Sequence, residues 1–146
     1  MEFDRVIIKL GTSTLTGGTS RLSTPQLIEI VRQCSALHSD GRQIVVTSSG
    51  AMAAGREVLE FPELPKFVPA KQMLSAVGQP RLMTLYSELF SYYGKTVAQV
   101  LLTRSDLSDR RRYLNARNTL EALLSHRIIP IINENDTVAT EEIRLG

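Results

Sequence analysis

Cysteine is almost missing: Cys34 stands alone in 146 residues. That excludes an internal disulfide framework and a multi-thiolate metal site, and it fits a reducing compartment, the cytoplasm. An excess of one charge is missing too. Lys plus Arg number 17 against 15 Asp plus Glu, a net charge of +2, whereas a nucleic-acid-binding domain carries a basic excess or stripe. No apolar run approaches the ~20 residues that span a bilayer, and Met1-Glu2-Phe3-Asp4 shows no basic segment leading into an apolar one, so neither membrane insertion nor secretion is expected. What remains, 42% hydrophobic and 22% charged, is an ordinary globular composition in about one domain's length of chain, enough to bury a core.

The chain alternates two patterns. Arg5–Leu10, 43–47, 97–102 and 128–132 are short apolar runs, which read as strands buried on both faces. Between them lie helical signals. Ser23-Thr24-Pro25-Gln26 is a capping box with proline in the first turn, followed by Leu27, Ile30, Val31, Cys34 and Leu37 until Gly41. Ala51-Met52-Ala53-Ala54 opens a small-residue helix, and Ser108 or Asp109 opens another that runs to His126. Residues 11–21, rich in Gly, Thr and Ser, read as a loop, and Pro62, Pro65 and Pro69 mark a surface excursion. Residues 70–93 are helical in pattern, but Pro80 lacks an N–H and its ring clashes with the preceding turn, so two helices are expected there. Pro130 cannot donate to a ladder and is expected near the start of its strand. Strands alternating with helices specify an α/β fold with a mostly parallel sheet and helices on both faces.

In such sheets ligands bind beyond the C-terminal ends of the strands. Those ends read Lys9-Leu10-Gly11-Thr12-Ser13, Thr47-Ser48-Ser49-Gly50, Thr103-Arg104-Ser105-Asp106 and Asn133-Glu134-Asn135-Asp136. Lys9 beside Gly11 combines an ammonium with accessible backbone N–H groups, a pairing suited to phosphate oxygens, although a lysine at a strand end is commonly a solvated charge. Neither the P-loop nor the dinucleotide glycine pattern is present. Ser48-Ser49-Gly50 offers hydroxyls, close backbone approach and a helix start, or simply a serine cap with a turn glycine. The polar run after the last strand serves a turn, a substrate ammonium or a water-bridged Mg²⁺. Arg110-Arg111-Arg112 reads as a solvated helix face, His38 and His126 as residues at helix C-termini without metal-ligand spacing, and Cys34 as core.

Five segments taken together are recognisable: Ile8-Lys9-Leu10-Gly11-Thr12-Ser13, Val46-Thr47-Ser48-Ser49-Gly50-Ala51, Leu101-Leu102-Thr103-Arg104, Tyr113-Leu114-Asn115-Ala116-Arg117 and Pro130-Ile131-Ile132-Asn133-Glu134-Asn135-Asp136. Over the whole chain and in order they resemble the glutamate 5-kinase family of the amino acid kinase superfamily. The resemblance implies a three-layer α/β sandwich, of which residues 1–146 would be the N-terminal, amino-acid-substrate part, cut before the nucleotide-binding half and a second catalytic lysine. It implies ATP-dependent phosphorylation of the γ-carboxylate of L-glutamate to γ-glutamyl phosphate, the first step of proline biosynthesis, with ATP and Mg²⁺ as cofactors and a homo-oligomer at full length. By position, Lys9 would be the catalytic, ATP-phosphate lysine and Gly11 part of the phosphate loop. Ser49, Gly50, Asn133 and Asp136 would bind glutamate, with Asp136 on its α-ammonium. The piece alone is expected to lack kinase activity. A sister carboxylate or carbamate kinase, or a non-catalytic binding or assembly module, are the alternative expectations.

Overall fold

Four apolar segments pair side by side into one parallel sheet. The computed structural model describes residues 4–64 and 68–133. In chain order it contains β1 (Arg5–Leu10), α1 (Thr12–Thr16), α2 (Thr24–Ser39), β2 (Gln43–Ser48), α3 (Ala51–Val58), α4 (Val68–Ser91), β3 (Val97–Leu101), α5 (Arg104–Ser108), α6 (Arg110–Ser125) and β4 (Ile129–Asn133). The strand order is β1-β2-β4-β3, and every neighbouring pair is parallel.

Because side chains alternate along a strand, each strand feeds two cores. Leu10, Ile44, Val46, Ile129 and Ile131 pack with Leu27, Val31 and Cys34 of α2, Ala54 of α3 and Leu82, Tyr86 and Phe90 of α4. Val45, Val100 and Ile132 point the other way and pack with Leu124 of α6. The result is the expected α/β sandwich, with helices on both faces.

The caps lie where the sequence places them, although the Ser23 N–H donates to the Leu15 carbonyl at 2.7 Å and so does not close the expected box with Gln26. Ser23 accepts from the Gln26 N–H, and Asp109 accepts from the Arg112 N–H at 3.0 Å. Pro130 is the second residue of β4. Ile129 donates its N–H to Thr96 on the β3 side, so alternation directs position 130 toward β2, where the ladder begins only at Ile131. The missing donor thus falls where no bond is required.

Three expectations need correction. β1 and β3, the outer strands of the described sheet, are not covered on both faces: Ile7 is 67% and Leu101 54% exposed. A continuous apolar run does not tell a fully covered strand from one whose outer face is open. The helical stretch around Pro80 does not split, since α4 runs unbroken from Val68 to Ser91. Ala70, Leu74, Leu82, Tyr86 and Phe90, all buried, anchor it on both sides of the proline, and that packing outweighs the ~3 kcal/mol cost of an interior proline. Finally, residues 12–16 form the short helix α1 inside the expected loop, with Leu15 fully buried as its anchor.

Two helices are pressed unusually close. A Cβ on Gly78 of α4 would lie 1.8 Å from the Ala51 carbonyl oxygen, and one on Gly55 of α3 would lie 2.0 Å from the Leu74 carbonyl oxygen. Only glycine permits this backbone contact, which fixes the start of α3 against α4. Among the described residues no helix is long and apolar enough to cross a membrane.

Candidate functional site

Parallel strands in matched register finish together. Leu10 lies opposite Ser48, Ser48 opposite Asn133, and Asn133 opposite Leu101. The last residues of all four strands therefore stand on one line across the C-terminal edge of the sheet. Two strand spacings of about 4.8 Å set Leu10 and Asn133 roughly 10 Å apart. The Ser49 N–H donates to the Leu10 carbonyl at 2.9 Å, which carries the pairing one step beyond the strands and holds Gly11 beside the Ser49-Gly50 turn.

Alternation sorts the side chains. Leu10, Ser48 and Asn133 share the α4 side of the sheet, whereas Lys9 lies opposite Thr47, and its Cβ leaves on the α6 side. Lys9 is exposed, one residue back from the row, while Ser49 is half-buried. The structure thus gathers Gly11, Ser49, Gly50 and Asn133 along one edge and sets Lys9 next to it. Asp136, with Glu134 and Asn135, lies outside the described residues.

Gly50 needs to be glycine. Its φ of +104° is in the left-handed region that favours glycine, and it caps the N-terminus of α3 without any side-chain hydrogen bond. Gly50 therefore offers no side-chain cap to the first-turn N–H groups of α3, and a helix start of this kind favours an anion. Gly11 is the opposite case. Its φ of −81° and ψ of 165° suit any residue, and a Cβ there would meet nothing within 4 Å. Nothing in the local backbone or packing requires the smallest residue at that point.

Asn133 is 2% exposed, yet both its Oδ1 and Nδ2 are without a hydrogen-bond partner among the described residues. A buried primary amide with neither end satisfied is uncommon in a folded protein and marks a place where something else bonds. Its neighbour across the ladder is fully engaged: the Ser48 hydroxyl donates to the Ser49 carbonyl at 2.8 Å and lies 2.6 Å from the Tyr86 hydroxyl. Tyr86, on α4, is buried, and that burial pushes its phenol up to about 12. Tyr86 escaped the sequence reading because Leu82, Tyr86 and Phe90 have plain core spacing. Ser75 Oγ and Gln79 Nε2, also on α4, are buried without partners among the described residues.

The remaining candidates stay apart from the row. Arg110, Arg111 and Arg112 are exposed on α6. His38 is buried near the end of α2, where burial pushes its pKa down. Burial likewise pushes the Cys34 thiol up to about 11, away from any nucleophilic role at neutral pH. Among the described residues no group of three or more His, Cys, Asp or Glu converges as a metal ion would need.

The amino acid kinase family model matches residues 4–146. The chain belongs to the amino acid kinase family. Within that family it is 57% identical over 145 residues to the glutamate 5-kinase of Klebsiella pneumoniae subsp. pneumoniae, covering 99% of this chain and 40% of that protein. It is also 57% identical over 141 residues to the glutamate 5-kinases of Escherichia coli O1:K1 / APEC and Enterobacter sp. strain 638, covering 97% of this chain and 38% of each of those proteins. This amino acid kinase chain therefore spans about 40% of the length of the curated relatives it matches.

Proposed function

We propose that this chain is the amino-acid-binding part of a glutamate 5-kinase, which transfers the γ-phosphoryl group of ATP to the γ-carboxylate of L-glutamate and so opens proline biosynthesis. The observation that carries this reading is the row of strand ends, where the α3 start at Gly50, which brings no capping side chain of its own, adjoins a buried amide at Asn133 without a partner among the described residues. The similarity to glutamate 5-kinases along the whole chain supports it.

The chemistry asks little covalent work of the protein. A carboxylate oxygen attacks the γ-phosphorus, the bond from that phosphorus to the bridging β-phosphate oxygen breaks, and ADP leaves. A free γ-carboxylate has a pKa of about 4.3, so it is already ionised near neutrality and no general base is needed. Positioning and neutralisation of charge are what remain. Both reactants are anions. Lys9 supplies the positive charge that meets the transferring phosphoryl group, and Gly11 leaves its backbone open to the same phosphates. Ser49, Gly50 and the first turn of α3 hold the acceptor carboxylate, while Asn133 bonds the body of the amino acid and Asp136 pairs with its α-ammonium. Mg²⁺ would accompany ATP as a charge-neutralising counter-ion, and no described cluster of His, Cys, Asp or Glu fits it as a ligand set.

The rest of the kinase supplies the nucleotide-binding half, and the whole acts in the cytoplasm as a homo-oligomer. Incubating the intact kinase with ATP, hydroxylamine and one acceptor at a time tests the reading. γ-Glutamyl hydroxamate from L-glutamate, with little product from N-acetylglutamate, aspartate or carbamate, is the expected result. Faster turnover of N-acetylglutamate or carbamate would make it a sister kinase and remove the role given to Asp136.

A further inference from the structure

We propose that Tyr86 is a positioning residue for the acceptor site, acting through Ser48 to fix the orientation of the Ser49–Gly50 peptide. The hydrogen bonds assign the direction of the chain. A serine hydroxyl has one proton, and that of Ser48 goes to the Ser49 carbonyl at 2.8 Å. The 2.6 Å contact between the Ser48 and Tyr86 hydroxyls must then be donated by Tyr86. The relay runs from the Tyr86 phenol to the Ser48 hydroxyl to the Ser49 carbonyl.

Its consequence follows from peptide geometry. In a trans peptide the carbonyl and the next N–H point in opposite directions. Holding the Ser49 carbonyl toward the Ser48 hydroxyl therefore aims the Gly50 N–H the other way. Gly50 tolerates many backbone angles, so this peptide plane would turn at little cost if nothing held it. Ser48 is held in turn: it is 2% exposed, paired in register with both Leu10 and Asn133, and its partner Tyr86 is 1% exposed on a helix packed against the sheet. Gly50 opens α3, so the peptide fixed by the relay leads directly into the first-turn N–H groups. Tyr86, which touches no reacting atom, thereby decides where the donors offered to the acceptor carboxylate point.

Because this role rests on the glutamate kinase reading, its test has one arm that needs no activity. In the ¹⁵N-labelled intact protein, Tyr86→Phe and Ser48→Ala are each expected to shift the Gly50 amide resonance and speed its hydrogen exchange, with the double variant adding little to Ser48→Ala. In the kinetic arm, Tyr86→Phe is expected to raise the KM for L-glutamate about tenfold, the order of one lost hydrogen bond, and to leave the KM for ATP within about twofold. An unmoved Gly50 amide in both variants overturns the inference. So does an unchanged glutamate KM in an enzyme that phosphorylates glutamate, or a parallel rise in both KM values. If the unaltered protein phosphorylates no glutamate, the functional reading fails, and the Gly50 amide alone decides the positioning role. Should Tyr86→Phe fold poorly, Ser48→Ala, which removes the clamp itself, carries both arms.

Discussion

Ser48 and Asn133 stand opposite each other on the last rung between β2 and β4, each 2% exposed, but only one of them is satisfied. Ser48 bonds to both Ser49 and Tyr86, whereas neither end of the Asn133 amide finds a partner among the described residues. One member of this pair holds the backbone, and the other keeps a buried amide that no described residue uses.

Replacing Asn133 by leucine of similar shape should therefore strengthen the fold while harming binding. Removing an unsatisfied buried amide is worth about 1–3 kcal/mol of stability. Urea denaturation of Asn133→Leu should show a gain in that range, and the KM for L-glutamate should rise at least about tenfold, the equivalent of 1.4 kcal/mol. A loss of stability would mean that the amide has structural partners after all.

Two glycines should respond in opposite ways to alanine. At Gly78 the added methyl would sit 1.8 Å from the Ala51 carbonyl oxygen, so the start of α3 must move away from α4, and a loss of about 3 kcal/mol or more is expected in denaturant titrations. At Gly11 the methyl would meet nothing within 4 Å and the backbone angles are ordinary. Gly11→Ala should leave stability unchanged or raise it by about 0.4–1 kcal/mol through the unfolded state. Its effect should appear in the KM for ATP, measured by steady-state kinetics, as a rise. An unaltered ATP KM would remove Gly11 from the phosphate site.

Alkaline pH should loosen the larger core from within. Burial pushes the Cys34 thiol up from 9.0 to about 11 and the Tyr86 phenol up from 10.0 to about 12. Both folded-state values lie above the unfolded ones, so the folded protein holds these protons more tightly. Their contribution is complete below pH 9, then declines between about pH 9 and 11 for the thiol and between about pH 10 and 12 for the phenol. The slope is about 1.4 kcal/mol per pH unit for each group within its window. Urea midpoints measured from pH 8 to 11 should fall, and Cys34→Ala should flatten the first part of that fall. A flat profile to pH 11 would contradict the burial assigned to both groups.

Local signals were well written in the chain, and relations between distant segments were not. The caps at Ser23 and Asp109 and the helix beginning at Ala51 lie where their residue types point, because a cap depends on three or four neighbours. The exposure of Ile7 was hidden because an apolar strand carries no mark of what covers its outer face. α4 continues through Pro80 because Tyr86, Phe90 and Leu74 find partners far away in sequence, and local helix rules do not include that packing. At the site, the strand ends were legible as polar and small, and their alignment follows from a register that no segment encodes alone. Tyr86 was illegible for the same reason. Its hydroxyl meets Ser48 38 positions away, while its spacing on α4 marks it only as core.

If a phosphoryl group crosses to a carboxylate at the C-terminal edge of this sheet, Lys9 supplies the charge that the transfer needs. Single-turnover phosphoryl transfer from ATP to L-glutamate by the intact kinase, compared between the natural protein and Lys9→Ala, tests it most directly. The expected outcome is a rate lower by about 10²–10³ with stability within about 0.5 kcal/mol, since Lys9 is an exposed strand residue. An undiminished transfer rate in the folded Lys9→Ala protein would contradict the account.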